Sequence, residues 1–339
     1  MRPFDEPAYA HAQRLVDVGG RRLNLYCTGH GSPAVVLEAG LGTSTTIAWR
    51  YLQPLVARTH RVCSYDRAGW GFSDPGPQPR TSGAIASDLH ALLGAAQLRP
   101  PYVLVAHSFG AYAARLFADR FPAETAGLVF IDPSEEDFDA RAAGIYGPHN
   151  GGGDDEEAMR MQRCRAASHA GQLRRGSTLY AGCMRAWPPT ASATPSLSRA
   201  LGEQRTRAAQ WDAFASETEH FSGASAAEVR RARANYGDVP VAVLTAGSED
   251  WSGEGVSRRQ ESQLRALWIG IHEELARRSR RGTHEIVAGA GHEIQVDRPE
   301  AVARAIDAVI AAQPARSQVF FMPVVNDLLV PQPARRGGL

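Results

Sequence analysis

The chain lacks a surplus of either charge: 37 basic residues stand against 36 acidic ones in 339, leaving a net charge of +1. That balance removes the electrostatic case for binding nucleic acid or an anionic membrane surface. The arginine clusters at Arg230, Arg231 and Arg233 and at 277–281 then read as solvated helix faces. No apolar run approaches the roughly 20 residues of a membrane span. The polar N-terminus MRPFDEPAYAHAQ has no apolar signal core, which points to the cytoplasm, or to a secreted or periplasmic site if a leader has been trimmed. Also missing are H-E-x-x-H, paired C-x-x-C, G-x-x-x-x-G-K-[ST] and a helix-opening G-x-G-x-x-G, so neither a metal nor a phosphate-bearing cofactor is expected. Cysteine is scarce, with Cys27, Cys63, Cys164 and Cys183 the full set.

What is present is a rhythm. RLVDV and LNLYC flank Gly19-Gly20, a tight hairpin signal. Short apolar runs follow at 34–38 (AVVLE), 61–65 (RVCSY), 102–106 (YVLVA), 127–131 (GLVFI), 239–245 (VPVAVLT) and 284–288 (HEIVA), with helical composition at about 80–97, 108–121, 256–280 and 297–312 between or after them. Near-continuous apolar strands separated by helices predict a mostly parallel sheet covered on both faces. The span 133–236 has no convincing strand and is too long for a loop, so it reads as a helical insertion. Its GGGDDEE segment at 151–157 reads as a surface loop, since consecutive acids do not build a coordination shell. The core is thus 14–132 with 237–312, and the tail 313–339 has no assigned role.

Ser108 closes the buried-type strand YVLVA and opens the helix SFGAYAARLFADRF. A serine in that sharp turn needs small neighbours, and Ala106 and Gly110 in A-H-S-F-G supply them, a variant of G-x-S-x-G. Taken alone, a serine there is more often a turn or cap residue.

The order of motifs, however, resembles the α/β-hydrolases over residues 14–312: VVLEAGLGTSTTIAW, SYDRAGWGFSDPGP, VAHSFG, LTAGSED and GAGHEIQVDRPEAV. The family usually has His-Gly where this chain has Ala39-Gly40, and Gly where it has Ala106. The resemblance implies an α/β fold with an eight-stranded, mostly parallel sheet and a helical cap. It also makes the second and fourth strands neighbours, so that Cys27 and Cys63 could approach, although buried free thiols are the commoner outcome in a cytosolic chain. Cys164 and Cys183, both in the insertion, could staple it.

A serine hydroxyl needs a base, and His292, in the glycine-rich turn GAGHEIQ after the final strand, is the candidate. His107 is its rival by adjacency to Ser108. For the acid that orients the base, the resemblance favours Asp250 in TAGSED, with Asp132 at the end of GLVFID second and Glu249 third; sequence order alone does not separate Asp250 from Asp132. The backbone N–H groups of Phe109 and Leu41 are the expected oxyanion donors. Trp70, Trp211 and Phe214 are the expected pocket residues, while Asp66 and Arg67 read as fixing a loop beside the site.

These residues point to a cofactor-independent serine hydrolase acting on a small-molecule ester or related acyl bond. A non-catalytic binding protein of the same fold is the alternative from another class. Carbon–carbon hydrolases and acyltransferases share the serine. Haloalkane dehalogenases and epoxide hydrolases of this fold carry aspartate there, and Ser108 counts against them.

Overall fold

The computed structural model describes residues 6–43, 45–146, 152–186, 194–232, 235–248 and 256–313. Eight strands form one sheet in the order β1-β2-β4-β3-β5-β6-β7-β8. They are β1 (Arg14–Asp17), β2 (Arg22–Thr28), β3 (Ala34–Glu38), β4 (Val62–Tyr65), β5 (Tyr102–His107), β6 (Thr125–Ile131), β7 (Val241–Ala246) and β8 (Gly282–Val287). Only β2 runs antiparallel to its neighbours, β1 and β4; every other pairing is parallel.

Burial explains why the central strands read as unbroken apolar runs. Leu104, Ala106, Leu128, Phe130 and Val243 face one core, which includes helices α1 (Ser82–Ala95) and α2 (Gly110–Arg120). Val103, Val105, Val129, Ile131 and Leu244 alternate with them and face the other, which includes Trp49, Val302 and Ile306. With both faces covered, both sets of alternate positions are predominantly apolar, and buried polar residues such as Glu38 and Thr245 occur with hydrogen-bond partners.

Between β6 and β7 the described chain is helical. It contains α3 (Phe138–Tyr146), α4 (Gly152–His169), α5 (Thr178–Cys183), α6 (Pro195–Gln204), α7 (Ala208–His220) and α8 (Ala226–Arg231), and after β7 come α9 (Arg258–Arg277) and α10 (Pro299–Ala311). Within the segment expected as a loop at 151–157, residues 152–157 are instead the start of α4. Residues 314–339 of the tail lie outside the described residues.

At Cys27 and Cys63 the structure departs from the expectation of free thiols. Cys27 and Cys63 face each other directly across β2 and β4 and are disulfide-bonded, and a second disulfide ties Cys164 on α4 to Cys183 on α5. Register placed the first pair together; adjacency in the fold, rather than in the chain, decided it.

Candidate active site

β5 delivers Ser108 to the carboxyl edge of the sheet, where the chain reverses into α2. Ser108 has φ +51°, a left-handed conformation that few residues other than glycine adopt. The turn is held by the Ser108 N–H donating to the Ile131 carbonyl at 3.0 Å and by the Ser108 carbonyl accepting from the N–H of Ser134 at 3.2 Å. The neighbours must be small for a measurable reason: a Cβ at Gly110 would lie 2.6 Å from the Ala39 carbonyl oxygen, and one at Gly40 would lie 2.7 Å from Nδ1 of His107. Elbow and preceding loop are in close contact.

Asp132 ends the adjacent strand β6, also with a positive φ, +41°. It is fully buried, and its N–H donates to the Leu244 carbonyl at 2.7 Å. Oδ1 accepts from the Ala246 N–H and from Nε1–H of Trp268, each at 3.0 Å, while Oδ2 lies 2.6 Å from Nδ1 of His292. Burial works to raise this carboxyl, but the hydrogen bond and positive field of His292 outweigh it and hold it below the ordinary carboxylate value. An ionised Asp132 accepts the hydrogen bond from His292 Nδ1–H and so fixes the proton there, which leaves the lone pair on Nε2, the tautomer a general base requires.

Among the described residues, Asp132 is the carboxylate that pairs with His292. Asp250 and Glu249, the first and third choices from sequence, lie outside the described residues.

His107 is placed differently. It is buried, its Nε2–H donates to the His292 carbonyl at 3.0 Å, and burial, followed by the field of His292, pushes it down to about 4. A neutral ring fixed to a backbone carbonyl supports the His292 loop; it does not collect a proton from Ser108.

Behind the acid lies a set of groups that the sequence reading missed. His272 on α9 is buried, its Nε2–H donates to the Pro133 carbonyl at 2.9 Å, and its Nδ1 accepts from the Thr245 hydroxyl at 2.6 Å. Thr245 Oγ1 in turn accepts from Nε2–H of His284 at 2.7 Å. Burial drives His272 down to about 4. The i, i+4 spacing of Trp268 and His272 on a helical stretch was the available signal, since it puts both on one face toward the sheet.

The loop after β3 is clamped from below by Arg67. Its Nη1 donates to Glu38 Oε1 at 2.7 Å and to the Ala39 carbonyl at 2.9 Å, and its Nη2 donates to the Gly40 carbonyl at 3.0 Å and to Glu217 Oε2 at 3.0 Å. Asp66 fixes the neighbouring turn by accepting from the N–H groups of Thr46 at 2.7 Å and Phe72 at 3.0 Å. Leu41 follows this clamped stretch and Phe109 follows Ser108, so both expected oxyanion donors belong to fixed backbone.

A cleft of about 220 Å³ opens onto Ser108 and His292, with Ser134, Tyr112, Phe221 and Trp268 in its walls. The Ser134 hydroxyl lies 3.4 Å from that of Ser108. The pocket residues named from sequence are elsewhere. Trp70, Trp211 and Phe214 are buried with Met161, Cys164 and Cys183 in a core that Leu41 packs against and that joins the insertion to the loop after β4, and none lines this cleft. Nε1–H of Trp70 donates to Glu217 and that of Trp211 to the Arg205 carbonyl, partners that hold both rings inward.

A serine in a strained strand-to-helix turn, a histidine after the last strand and a buried aspartate define the hydrolytic class of α/β protein. The family model for the alpha/beta hydrolase family matches residues 30–305, and the chain belongs to that family. Among curated relatives it is 36% identical over 106 residues to the uncharacterized protein YqjL of Bacillus subtilis, covering 31% of this chain and 42% of that one. It is 33% identical over 125 residues to the 2-hydroxy-6-oxo-2,4-heptadienoate hydrolase of Pseudomonas putida, covering 36% and 45% respectively. The matches therefore span less than half the length of these two relatives. In fold, the chain is similar to the solved structure of a putative epoxide hydrolase from Pseudomonas aeruginosa, with a TM-score of 0.60 at 19% identity, covering 92% of this chain and 98% of that one.

Proposed function

We propose that the protein is a cofactor-independent serine hydrolase that cleaves small carboxylic esters through Ser108, His292 and Asp132. The observation that carries this reading is the 2.6 Å contact from buried Asp132 to Nδ1 of His292, in a cleft that His292 shares with Ser108. His292 Nε2 takes the Ser108 proton as Oγ bonds to the carbonyl carbon. The backbone N–H groups of Leu41 and Phe109 hold the resulting oxyanion. Collapse breaks the ester C–O bond, and the alcohol leaves with the proton from His292. Water, deprotonated by the same imidazole, then releases the acid and restores the serine. The helical insertion serves as a lid over this cleft, contributing Phe221 and Ser222 to its wall.

Lysine-dependent variants of this chemistry have no candidate, because the sequence contains no lysine. Carbon–carbon cleavage by the same serine is the second reading, supported by the likeness to the heptadienoate hydrolase. That enzyme's named substrate is a carboxylate, whereas the cleft here is lined by Glu135, Glu136 and Asp139, which favours esters without an anionic group. The test is fluorophosphonate labelling with p-nitrophenyl acetate turnover, in wild type and Ser108→Ala. Label and turnover should both vanish in the variant; an unlabelled wild type would overturn the proposal and favour a non-catalytic binding role.

A further inference from the structure

The cleft at Ser108 is unusual in its charge. Three carboxylates line it, Glu135, Glu136 and Asp139, and among the described residues the only cation-forming side chain in its wall is His292. Of the three, Glu136 is compensated: Arg115 grips it with two nitrogens at 2.5 and 2.7 Å, and Arg278 stands 3.8 Å away. Glu135 is not. It accepts the Asp137 N–H at 2.9 Å and forms no ion pair among the described residues. Asp139 accepts the Ser222 hydroxyl at 3.2 Å and is likewise without a cationic partner among them.

The same cleft has aromatic walls. Tyr112 and Phe221 stack with ring centroids 5.5 Å apart on one side, and Phe138 meets Trp268 edge to face at 4.9 Å on the other. Ring faces attract cations, ammonium groups above all, and the attraction grows when water is excluded. An aromatic-walled pocket with two carboxylates that form no ion pair among the described residues is complementary to a cation and hostile to an anion.

A bound metal ion is a poorer fit. The oxygens of Glu135, Glu136 and Asp137 lie within 4.8 Å of one another, but Glu136 is already held by Arg115 and Asp137 by Nε of Arg230 at 2.6 Å. That leaves Glu135 alone, and one carboxylate does not make a coordination shell.

We infer that the protein selects small esters carrying an ammonium group, with Glu135 and Asp139 facing the cation and Tyr112, Phe138, Phe221 and Trp268 around it. This rests on the reading of Ser108 as the nucleophile and adds to it the substrate's charge. Burial, and then the neighbouring Glu136, with Asp137 adding to them, hold the Glu135 carboxyl above its ordinary value against the Asp137 N–H and the field of Arg115. A cation seated beside it would bring that value down, so by linkage the preference for cationic esters weakens as pH falls through the raised Glu135 titration.

The experiment compares acetylthiocholine with its uncharged isostere, S-(3,3-dimethylbutyl) thioacetate, by thiol release at low ionic strength. The two differ in charge and hardly in shape. The expected kcat/KM ratio is at least about tenfold in favour of the cation, collapsing toward one in Glu135→Gln and recovering in Glu135→Asp. Equal hydrolysis of both esters by a wild type that labels at Ser108 would overturn the inference and leave the serine-hydrolase reading standing. If neither thioester turns over, calorimetric titration with phenyltrimethylammonium decides. Binding by wild type that weakens about tenfold or more in Glu135→Gln supports the cation site; no binding overturns it. Failure of Ser108 to take up fluorophosphonate is the separate result that removes the catalytic reading itself.

Discussion

Asp132 Oδ2 and His292 Nδ1 lie 2.6 Å apart across a sequence separation of 160 residues. Asp132→Asn keeps the acceptor for Ala246 and Trp268 but presents an amide N–H to Nδ1, which favours the wrong tautomer. The expected result is a loss on the order of 10⁴ in kcat, the size known for the corresponding change in the best-studied serine protease, with the melting temperature little changed. Asp250→Asn should be mild. Steady-state kinetics on p-nitrophenyl acetate rank the two, and the opposite ranking would move the acid to the loop after β7.

Arg67 joins the loop after β3 to α7, since one guanidinium reaches Glu38, Ala39, Gly40 and Glu217. Arg67→Met leaves two carboxylates buried without their counter-charge, at a cost of about 3–5 kcal/mol. Urea unfolding reads that loss. Glu217→Gln keeps an acceptor for Trp70 Nε1–H and should unfold at a higher urea concentration than Arg67→Met; equal midpoints would show that the clamp does not depend on charge.

Trp211 and Phe221 separate packing from selectivity. Trp211 lies in the core that joins the insertion to the loop after β4, whereas Phe221 lines the cleft. Trp211→Ala should lower stability by about 3–5 kcal/mol and depress all esters alike. Phe221→Ala should change the ratio of kcat/KM between acetyl and butyryl esters, each methylene in a pocket being worth about 1–3 kcal/mol. A changed profile in Trp211→Ala and an unchanged one in Phe221→Ala would reverse the assignment.

Two buried histidines give the fold a defined acid sensitivity. His107 and His272 are both pushed down to about 4 by burial, against 6.5 for a free ring. Between those values the unfolded chain binds protons that the folded one refuses, so stability falls as pH drops from about 6.5 toward about 4. Each ring contributes at most about 3 kcal/mol to that loss. Denaturant midpoints across this range should slope accordingly, and His272→Gln should flatten the slope even though it lowers the plateau. A variant as steep as wild type would show that His272 is not the group responsible.

Reduction tests the staple in the insertion. Cys164 and Cys183 close a loop of sequence separation 19, a length for which a disulfide contributes about 3 kcal/mol. The Cys164→Ser, Cys183→Ser double variant should melt lower than wild type, and the reductant-induced drop in melting temperature seen in wild type should shrink in it. Equal drops in both proteins would place the reductant's effect elsewhere.

The sheet was legible in the sequence because strands covered on both faces leave long apolar signatures; AVVLE at 34–38 coincides with β3. Ser108 was legible because its turn needs Gly110 beside it, a constraint that steric contact with Glu38 and Ala39 now explains. The acid was not. β6 and β7 are adjacent parallel strands, so carboxylates following either one arrive at the same edge, and chain order is blind to which of them meets the imidazole. The pocket was misread for a related reason. An apolar helix face looks the same whether it turns to a cleft or to its own core, and Trp211 turned to the core. The acidity of the cleft was written in SEEDFD at 134–139, but only the pairing of Glu136 with Arg115 distinguishes compensated charge from uncompensated.

The insertion leaves from β6 and returns to β7, strands already hydrogen-bonded side by side through Leu128–Ile131 and Val241–Leu244. Its departure and return points therefore sit on a rigid frame, its apolar centre around Trp211 is largely its own, and both halves of the Cys164–Cys183 bond move with it. These are the conditions under which recombination can trade one cap for another. The seam has a fixed position, though: a crossover upstream of Asp132 would exchange the triad's proposed carboxylate along with the cap, and one downstream of Asp139 would keep the acidic wall of the recipient. A chimera joined after Asp139, with Glu217 retained opposite Arg67, would inherit new walls on an unaltered charge.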